Sequence, residues 1–321
     1  MRRALAIDMG GTKTAAGIVD EAGRILAKRT IPTPRDSPEA AVRAMAALSR
    51  EVLVEAGPAR FAGLALPGTV DRRTGTLLQS ASSGWRDVPF GDLVSRALGL
   101  PVSSQNDVDA CARAEARFGG GRGLDTFFWM TVSTGIGGAV FSGGRIVGGP
   151  RSGEIGHVVV NPGGAPCGCG NRGCLEAEAA GPAWSRRARE LLNGGAAAPG
   201  GYLDRADRSA DRGAFRSSVD ARTVAEGARA GDPDCLRVVE ECARYLASGL
   251  AAVFNLLDPD AVFLGGGVAE SFDLLEDPIR RHLPSRVLDG RDRTFRVLKS
   301  ALGYDAALVG AAVPALFPDE T

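Results

Sequence analysis

One pattern occurs twice in this chain and restricts its fold more than any other feature. Near the start an apolar run, Ala4–Ile7, ends in Asp8-Met9-Gly10-Gly11-Thr12-Lys13. A second β-like run follows at Thr14–Val19, then a turn at Asp20–Gly23 and a third run at Ile25–Ile31. Short apolar runs separated by glycine turns read as strand, turn, strand, turn, strand. From Phe127 the order returns: Phe127–Val132, the turn Ser133-Thr134-Gly135-Ile136-Gly137-Gly138, Ala139–Phe141, a tight turn at Ser142–Gly144, and Arg145–Val147. A supersecondary unit repeated within one chain points to internal duplication, with two similar α/β halves facing each other across a cleft.

Helical patterns and further strands fill the intervals. Ser37-Pro38 supplies a cap followed by proline at the first helical position, and Val42, Met45, Leu48, Val52 and Leu53 make the buried stripe up to Gly57-Pro58. A strand at Phe61–Leu66 runs into Pro67-Gly68-Thr69-Val70-Asp71, and Gln79–Trp85 reads as a polar loop. Pro101-Val102 leads through two serines to Gln105-Asn106-Asp107 and a helical run, Val108–Phe118. Later come a helix at Gly181–Leu192 and an amphipathic helix from Asp234 to Leu257, with Leu236, Val239, Leu246, Leu250, Val253 and Leu257 near one face. A strand at Ala261–Leu264 then meets Gly265-Gly266-Gly267, and a final helix spans Asp305–Leu316. The interval Gly194–Phe215 is rich in Gly, Ala, Asp and Arg without a period and reads as a surface insertion.

A chain of 321 residues is long enough for about two domains with sizeable cores. Its formal net charge is +0 with the two signs interspersed, so no basic patch argues for nucleic acid and none for a membrane surface. The opening residues carry two arginines but too short an apolar run for a signal peptide, and no apolar stretch approaches the ~20 residues that span a bilayer. The simplest compartment is a reducing cytoplasm.

The stretch Ser152–Glu176, SGEIGHVVVNPGGAPCGCGNRGCLE, holds His157, one of 2 histidines, and Cys167, Cys169 and Cys174 of 6 cysteines. One imidazole and three thiolates complete a closed tetrahedral zinc shell that leaves no position for a catalytic water. The remaining cysteines, Cys111, Cys235 and Cys242, lie in helical surroundings and read as small core residues. Glu154 and Glu176 flank the cluster. They suit hydrogen bonds from several hydroxyls at once, or are equally well solvated loop charges.

Two other stretches permit chemistry without requiring it. The turn DMGGTK lacks the P-loop spacing, yet its glycines let backbone N–H groups approach an oxyanion, with Thr12 adding a hydroxyl; a plain hairpin turn explains it equally well. Asn106 and Asp107 are either a helix cap or a general base with its positioning amide. Three consecutive glycines at 265–267 allow close backbone approach and are a weak signal in isolation.

GEIGH followed by CGCGNRGCLE resembles the signature of the ROK family of bacterial sugar kinases and sugar-responsive repressors. The resemblance extends from Asp8 to the last helix through five ordered motifs. It implies two actin-like (ribonuclease H-like) α/β domains flanking a cleft. Residues 1–106 plus about 303–321 would form a smaller domain, and residues 107–302 a larger one holding the zinc loop 153–176. It implies zinc on His157, Cys167, Cys169 and Cys174, and sugar contacts from Gly68, Asn106, Asp107, Glu154, His157 and Glu176. ATP and Mg2+ would meet Asp8, Gly10, Gly11, Thr12 and Lys13 of the first phosphate motif, Thr134 and Gly135 of the second, and Gly265, Gly266 and Gly267 of an adenosine motif.

The activity implied is ATP-dependent phosphorylation of a sugar hydroxyl, with Asp107 taking its proton. Glucose is the commonest substrate of kinases with this signature, and N-acetylmannosamine and N-acetylglucosamine are its rivals. Ser82 or Ser83 stands where the family often has an asparagine, so the choice of sugar stays open while the reaction class does not; Ala139, where a third glycine is frequent, is a minor departure. A non-catalytic sugar sensor is the distant alternative. The family's repressors carry a DNA-binding domain before the first strand, and seven residues precede Asp8 here. A homodimer is the family expectation.

Overall fold

A computed structural model describes residues 2–197, 201–203 and 219–318; the remainder of the expected 194–215 insertion lies outside the described residues. The first sheet has the order β3-β2-β1-β4-β8, from β1 (Arg3–Met9), β2 (Lys13–Asp20), β3 (Ile25–Pro32), β4 (Ala62–Leu66) and β8 (Val102–Asn106). β2 runs antiparallel to both β1 and β3, while β4 and β8 continue the sheet in parallel with β1. The second sheet repeats that order as β11-β10-β9-β12-β13, from β9 (Thr126–Val132), β10 (Ile136–Ser142), β11 (Arg145–Val147), β12 (Ala261–Gly265) and β13 (Val297–Lys299). Here too the hairpin β10–β11 is antiparallel and the far pair β12–β13 parallel. The duplication read from the glycine turns is thus a duplication of strand order.

Two compact units divide the chain: Met1–Trp129, Ala139–Gly153 and Ser300–Thr321 in one, Met130–Gly138 and Glu154–Lys299 in the other. Residue 107, where the larger domain was expected to begin, lies inside the first unit, as does the last helix.

Strand periodicity organises the first unit. Along β1, Leu5, Ile7 and Met9 join the core under helix α1 (Pro38–Ala56), with Val42, Met45, Leu48 and Val52. Ala4 and Ala6 face the opposite way, onto Ala110 and Ala114 of α3 (Asp107–Phe118) and Leu308, Val309 and Ala312 of the final helix, Ala306–Leu316. Alternation places Asp8 on this second face as well. Small side chains let backbones meet there: a Cβ on Gly63 would lie 1.7 Å from the Ala311 carbonyl oxygen, and one on Gly310 1.7 Å from that of Ala110. Gln105 Nε2 donates to the Gly310 carbonyl at 3.0 Å, so the contact also satisfies buried polar groups.

Differences from the sequence reading have local causes. The polar interval after β4 contains a three-stranded sheet of β5 (Thr69–Asp71), β6 (Thr76–Gln79) and β7 (Arg86–Val88), followed by α2 (Phe90–Leu98). β10 begins at Ile136, inside the stretch read as a turn, because its two glycines pair as strand. In the second unit, α4 (Leu175–Ala179) and α5 (Gly181–Asn193) precede α6 (Ala221–Arg229), α7 (Pro233–Leu257) and α8 (Phe272–His282). Leu236 and Leu257, expected on the buried face of α7, are 43% and 37% exposed, because they lie in the end turns of a 25-residue helix. Val239, Leu246, Leu250 and Val253 between them are buried.

Candidate active site

The parallel strands β1, β4 and β8 end side by side, and three expected site residues follow from that register. Asp8 lies opposite Ala65, and Leu66 opposite Asn106. Asn106 caps α3, its Oδ1 accepting from Val108 N at 2.7 Å and Asp109 N at 3.2 Å. Its Nδ2 donates to the Gly68 carbonyl at 2.7 Å. Both readings of Asn106 bear on one side chain, and the cap is the one realised in its hydrogen bonds. Gly68 has φ +125°, and a Cβ there would lie 2.3 Å from the Gln79 carbonyl oxygen, so only glycine fits.

Asp107 is the first residue of α3, with Oδ1 accepting from Val108 N at 3.0 Å. Burial pushes its carboxyl up to about 6 against the lowering effect of helix N–H groups, with the Asp109 charge adding to the rise. Asp8 is raised further, to about 7, by burial first and then by the negative charges of Asp107 and Asp305, with Lys28 opposing. Both carboxyls thus bind a proton more tightly than an exposed aspartate, and Asp8 does so partly because of the Asp107 charge, an arrangement chemically suited to proton transfer.

The turn after β1 is tied down: Gly10 N donates to the Lys13 carbonyl at 2.9 Å, and Thr33 Oγ1 to the Gly10 carbonyl at 2.8 Å. Thr12 and Lys13 are exposed beside it. Ser82 lies close enough to Gly11 that a Cβ there would be 3.5 Å from its own. Arg72 was missed by the sequence reading. It pairs with Asp109 at 2.8 Å and donates to the Gly148 carbonyl at 2.7 Å, fastening the first turn of α3 to the segment after β11.

In the second unit, His157, Cys167, Cys169 and Cys174 offer ligand atoms that all lie within 4.8 Å of one another. His157 Nδ1 is 3.7 Å from Cys167 Sγ, and Cys169 Sγ is 3.7 Å from Cys174 Sγ. Sulfurs at such a spacing are far outside disulfide length, but match the edge of about 3.8 Å expected for a tetrahedron with metal–sulfur bonds of ~2.3 Å. The donor set therefore fits a tetrahedral soft ion. Burial and the two neighbouring thiols push Cys174 up to about 12, a crowding that a bound cation would reverse. With Nδ1 turned to the sulfurs, His157 Nε2 points the other way, 3.9 Å from the Glu154 carboxylate.

Glu176 sits in α4, and its Oε2 accepts from Ile136 N at 3.0 Å, beside Gly135 of the second Gly/Thr turn. Thr134 is exposed on that turn, and Ser133 N donates to the Gly135 carbonyl at 2.9 Å. Gly265 ends β12, and Val268 N donates to the Val132 carbonyl at 2.9 Å, so the triple-glycine turn lies alongside the end of β9.

Glu178 and Arg187 also escaped the sequence reading. Glu178 is buried and accepts from Asn161 Nδ2 at 3.0 Å, Ala165 N at 2.7 Å and Arg187 Nη2 at 2.6 Å. Burial alone would raise its carboxyl, but those donors hold it below the ordinary value. The nine-residue spacing of Glu178 and Arg187 falls on two different helices, so no single-helix pattern reveals the pair.

These elements define an α/β protein with one strand order used twice and a thiolate–imidazole cluster in its second unit. The chain matches the model of the ROK family over residues 4–318 and belongs to that family. It is 36% identical over 319 residues to a glucokinase of Streptomyces coelicolor, covering 98% of each chain. It is 35% identical over 316 residues to an N-acetylmannosamine kinase of Citrobacter koseri, covering 96% of this chain and 97% of the relative. Among solved structures it is similar to a ROK family glucokinase from Streptomyces griseus in complex with glucose and AMPPNP, with a TM-score of 0.83, 35% identity, and 97% and 98% of the two chains covered.

Proposed function

We propose that the protein is an ATP-dependent hexose kinase that phosphorylates glucose, built from two actin-like halves. The observation that carries this reading is Asp107, a carboxyl at a strand-to-helix junction with its proton affinity raised to about 6. A base of that strength is ionised at neutral pH and still basic enough to share the proton of an attacking hydroxyl. The repeated strand order and the relatives' activity support the same assignment.

In this reading Asp107 accepts the proton as the hydroxyl, the primary one on glucose, attacks the γ-phosphorus. Asn106 and Gly68 hold the base's helix and strand ends in register. Glu154, His157 Nε2 and Glu176 receive sugar hydroxyls. Asp8 and the turn Gly10-Gly11-Thr12-Lys13, with Thr134 and Gly135 and the turn 265–267, take the nucleotide and its Mg2+. The bound Mg2+ supplies charge neutralisation for the transferring phosphoryl group. His157 Nδ1, Cys167, Cys169 and Cys174 would hold zinc, which would supply order to the loop, while His157 Nε2 faces Glu154 on the other side of the ring.

A second reading, N-acetylmannosamine kinase, is favoured by the Citrobacter koseri relative and by the serines at 82–83, whose shorter side chains leave room for a larger substituent. Initial rates with Mg·ATP and glucose, mannose, fructose, allose, N-acetylmannosamine and N-acetylglucosamine separate the two. The expected result is glucose first, with phosphate on O6 in the product's NMR spectrum. Turnover with none of them, while calorimetry still shows sugar binding, would replace both readings with a sugar sensor. A homodimer in a reducing cytoplasm belongs to the same proposal. Among the described residues no helix is long and apolar enough to cross a membrane.

A further inference from the structure

One short helix carries two carboxylates in opposite tasks. α4 begins immediately after the ligand-set residue Cys174, which occupies its cap position. Glu178, near its end, reaches back into the loop, accepting from Asn161 and Ala165, and is locked by Arg187 of α5, which also meets Glu241 of α7 at 3.2 Å. Glu176 reaches forward to the N–H of Ile136, the residue after Thr134-Gly135. The other side of the same residue is also touched from the metal-loop segment: a Cβ on Gly156, next to His157, would lie 2.0 Å from the Ile136 carbonyl oxygen. The N–H of Ile136 is thus hydrogen-bonded by Glu176, and its C=O is closely packed by Gly156, both residues within two positions of the His/Cys cluster.

We infer that α4 couples the order of the 157–174 loop to the second Gly/Thr turn, with Glu176 and Glu178 as positioning residues for that turn. Glu176 has one oxygen committed to a backbone N–H before any ligand arrives, and the group it holds lies on the side assigned to the phosphoryl donor. Loss of the metal, or of the Glu178–Arg187 lock, loosens the turn through α4. The consequence for nucleotide affinity rests on the kinase reading; the coupling itself does not.

Hydrogen exchange followed by mass spectrometry on peptides covering 130–140 tests the coupling without any ligand. Glu176→Ala should speed exchange at Ile136 by tenfold or more. Chelation of the metal should do the same, and so should Glu178→Gln, whose side chain does not touch Ile136. Amides of α1 serve as the unaffected control. If chelation releases protection over the whole chain, the Glu178→Gln arm decides. Unchanged exchange at Ile136 in Glu178→Gln, or in Glu176→Ala, overturns the inference. Calorimetry with Mg·AMPPNP and no sugar adds the functional arm: Kd should rise three- to tenfold in Glu176→Ala, and no further on chelation of that variant, because the two perturbations act through one path. Absence of nucleotide binding by the wild-type protein would sink the kinase reading, while the exchange data still decide the coupling.

Discussion

Asn106 Nδ2 donates to the Gly68 carbonyl at 2.7 Å, joining the ends of two neighbouring parallel strands one residue before the proposed base. The same side chain caps α3 through its oxygen. Removing it should therefore disturb both helix start and strand register. Asn106→Ala is expected to cost roughly 1–2 kcal/mol of stability, the usual worth of an N-cap. Turnover should fall further than that loss of folded protein explains, because Asp107 follows directly. Thermal melts beside steady-state rates check this; a rate loss no larger than the loss of folded protein would reduce Asn106 to a cap.

Asp107→Asn separates chemistry from binding. The amide cannot take a proton, so kcat should drop by roughly 10²–10⁴-fold, while glucose affinity by calorimetry stays within about threefold. The same change should stabilise the protein. The folded carboxyl binds its proton more tightly than the ordinary value of 3.8, up to about 6. Stability contributed by the protonated form is therefore lost as pH rises through that window. At pH 8 the variant should be more stable by on the order of 1 kcal/mol, discounted for the residue's partial solvent access, with the gain vanishing below about pH 4. Equal denaturation midpoints at pH 8 would contradict the burial argument.

The pH profile should show the same group. A base acts ionised, so kcat/KM for glucose at saturating Mg·ATP, where Asp8 has already given up its proton, is expected to be flat above neutrality and to fall about tenfold per unit on the acid side of about 6. Asp8, raised to about 7 with the charge of Asp107 as a contributor, should release a proton when a Mg·nucleotide binds. Calorimetry at pH 7 in buffers of different ionisation enthalpy counts that proton, and heats independent of buffer would remove Asp8 from the cation's surroundings.

Cys169→Ser should abolish metal retention, since Cys169 Sγ is 3.7 Å from Cys174 Sγ within a four-residue donor set. Elemental analysis should read one zinc per chain in the wild type and none in the variant. Sugar affinity should weaken by roughly tenfold or more, because ordering of the loop is supplied by metal binding. Undiminished affinity in metal-free protein would end the scaffold role.

Chain order alone was enough for the features whose physics is local. The alternation Leu5, Ile7, Met9 against Ala4, Ala6, Asp8 is set by the two-residue period of a strand, and Ser37 caps its helix through a neighbour three residues on. The His/Cys cluster is legible because its four residues fall within Ser152–Glu176 and thiolates have few other uses together. Tertiary structure decided the rest, since burial and pairing depend on groups far apart in sequence. Nothing in the order of residues shows that the charge of Asp107 raises the proton affinity of Asp8, that Arg187 locks Glu178, or that Leu236 stays partly in water while Val239 does not. A carboxyl's strength is set by the dielectric and charge around it, and only the folded chain supplies those.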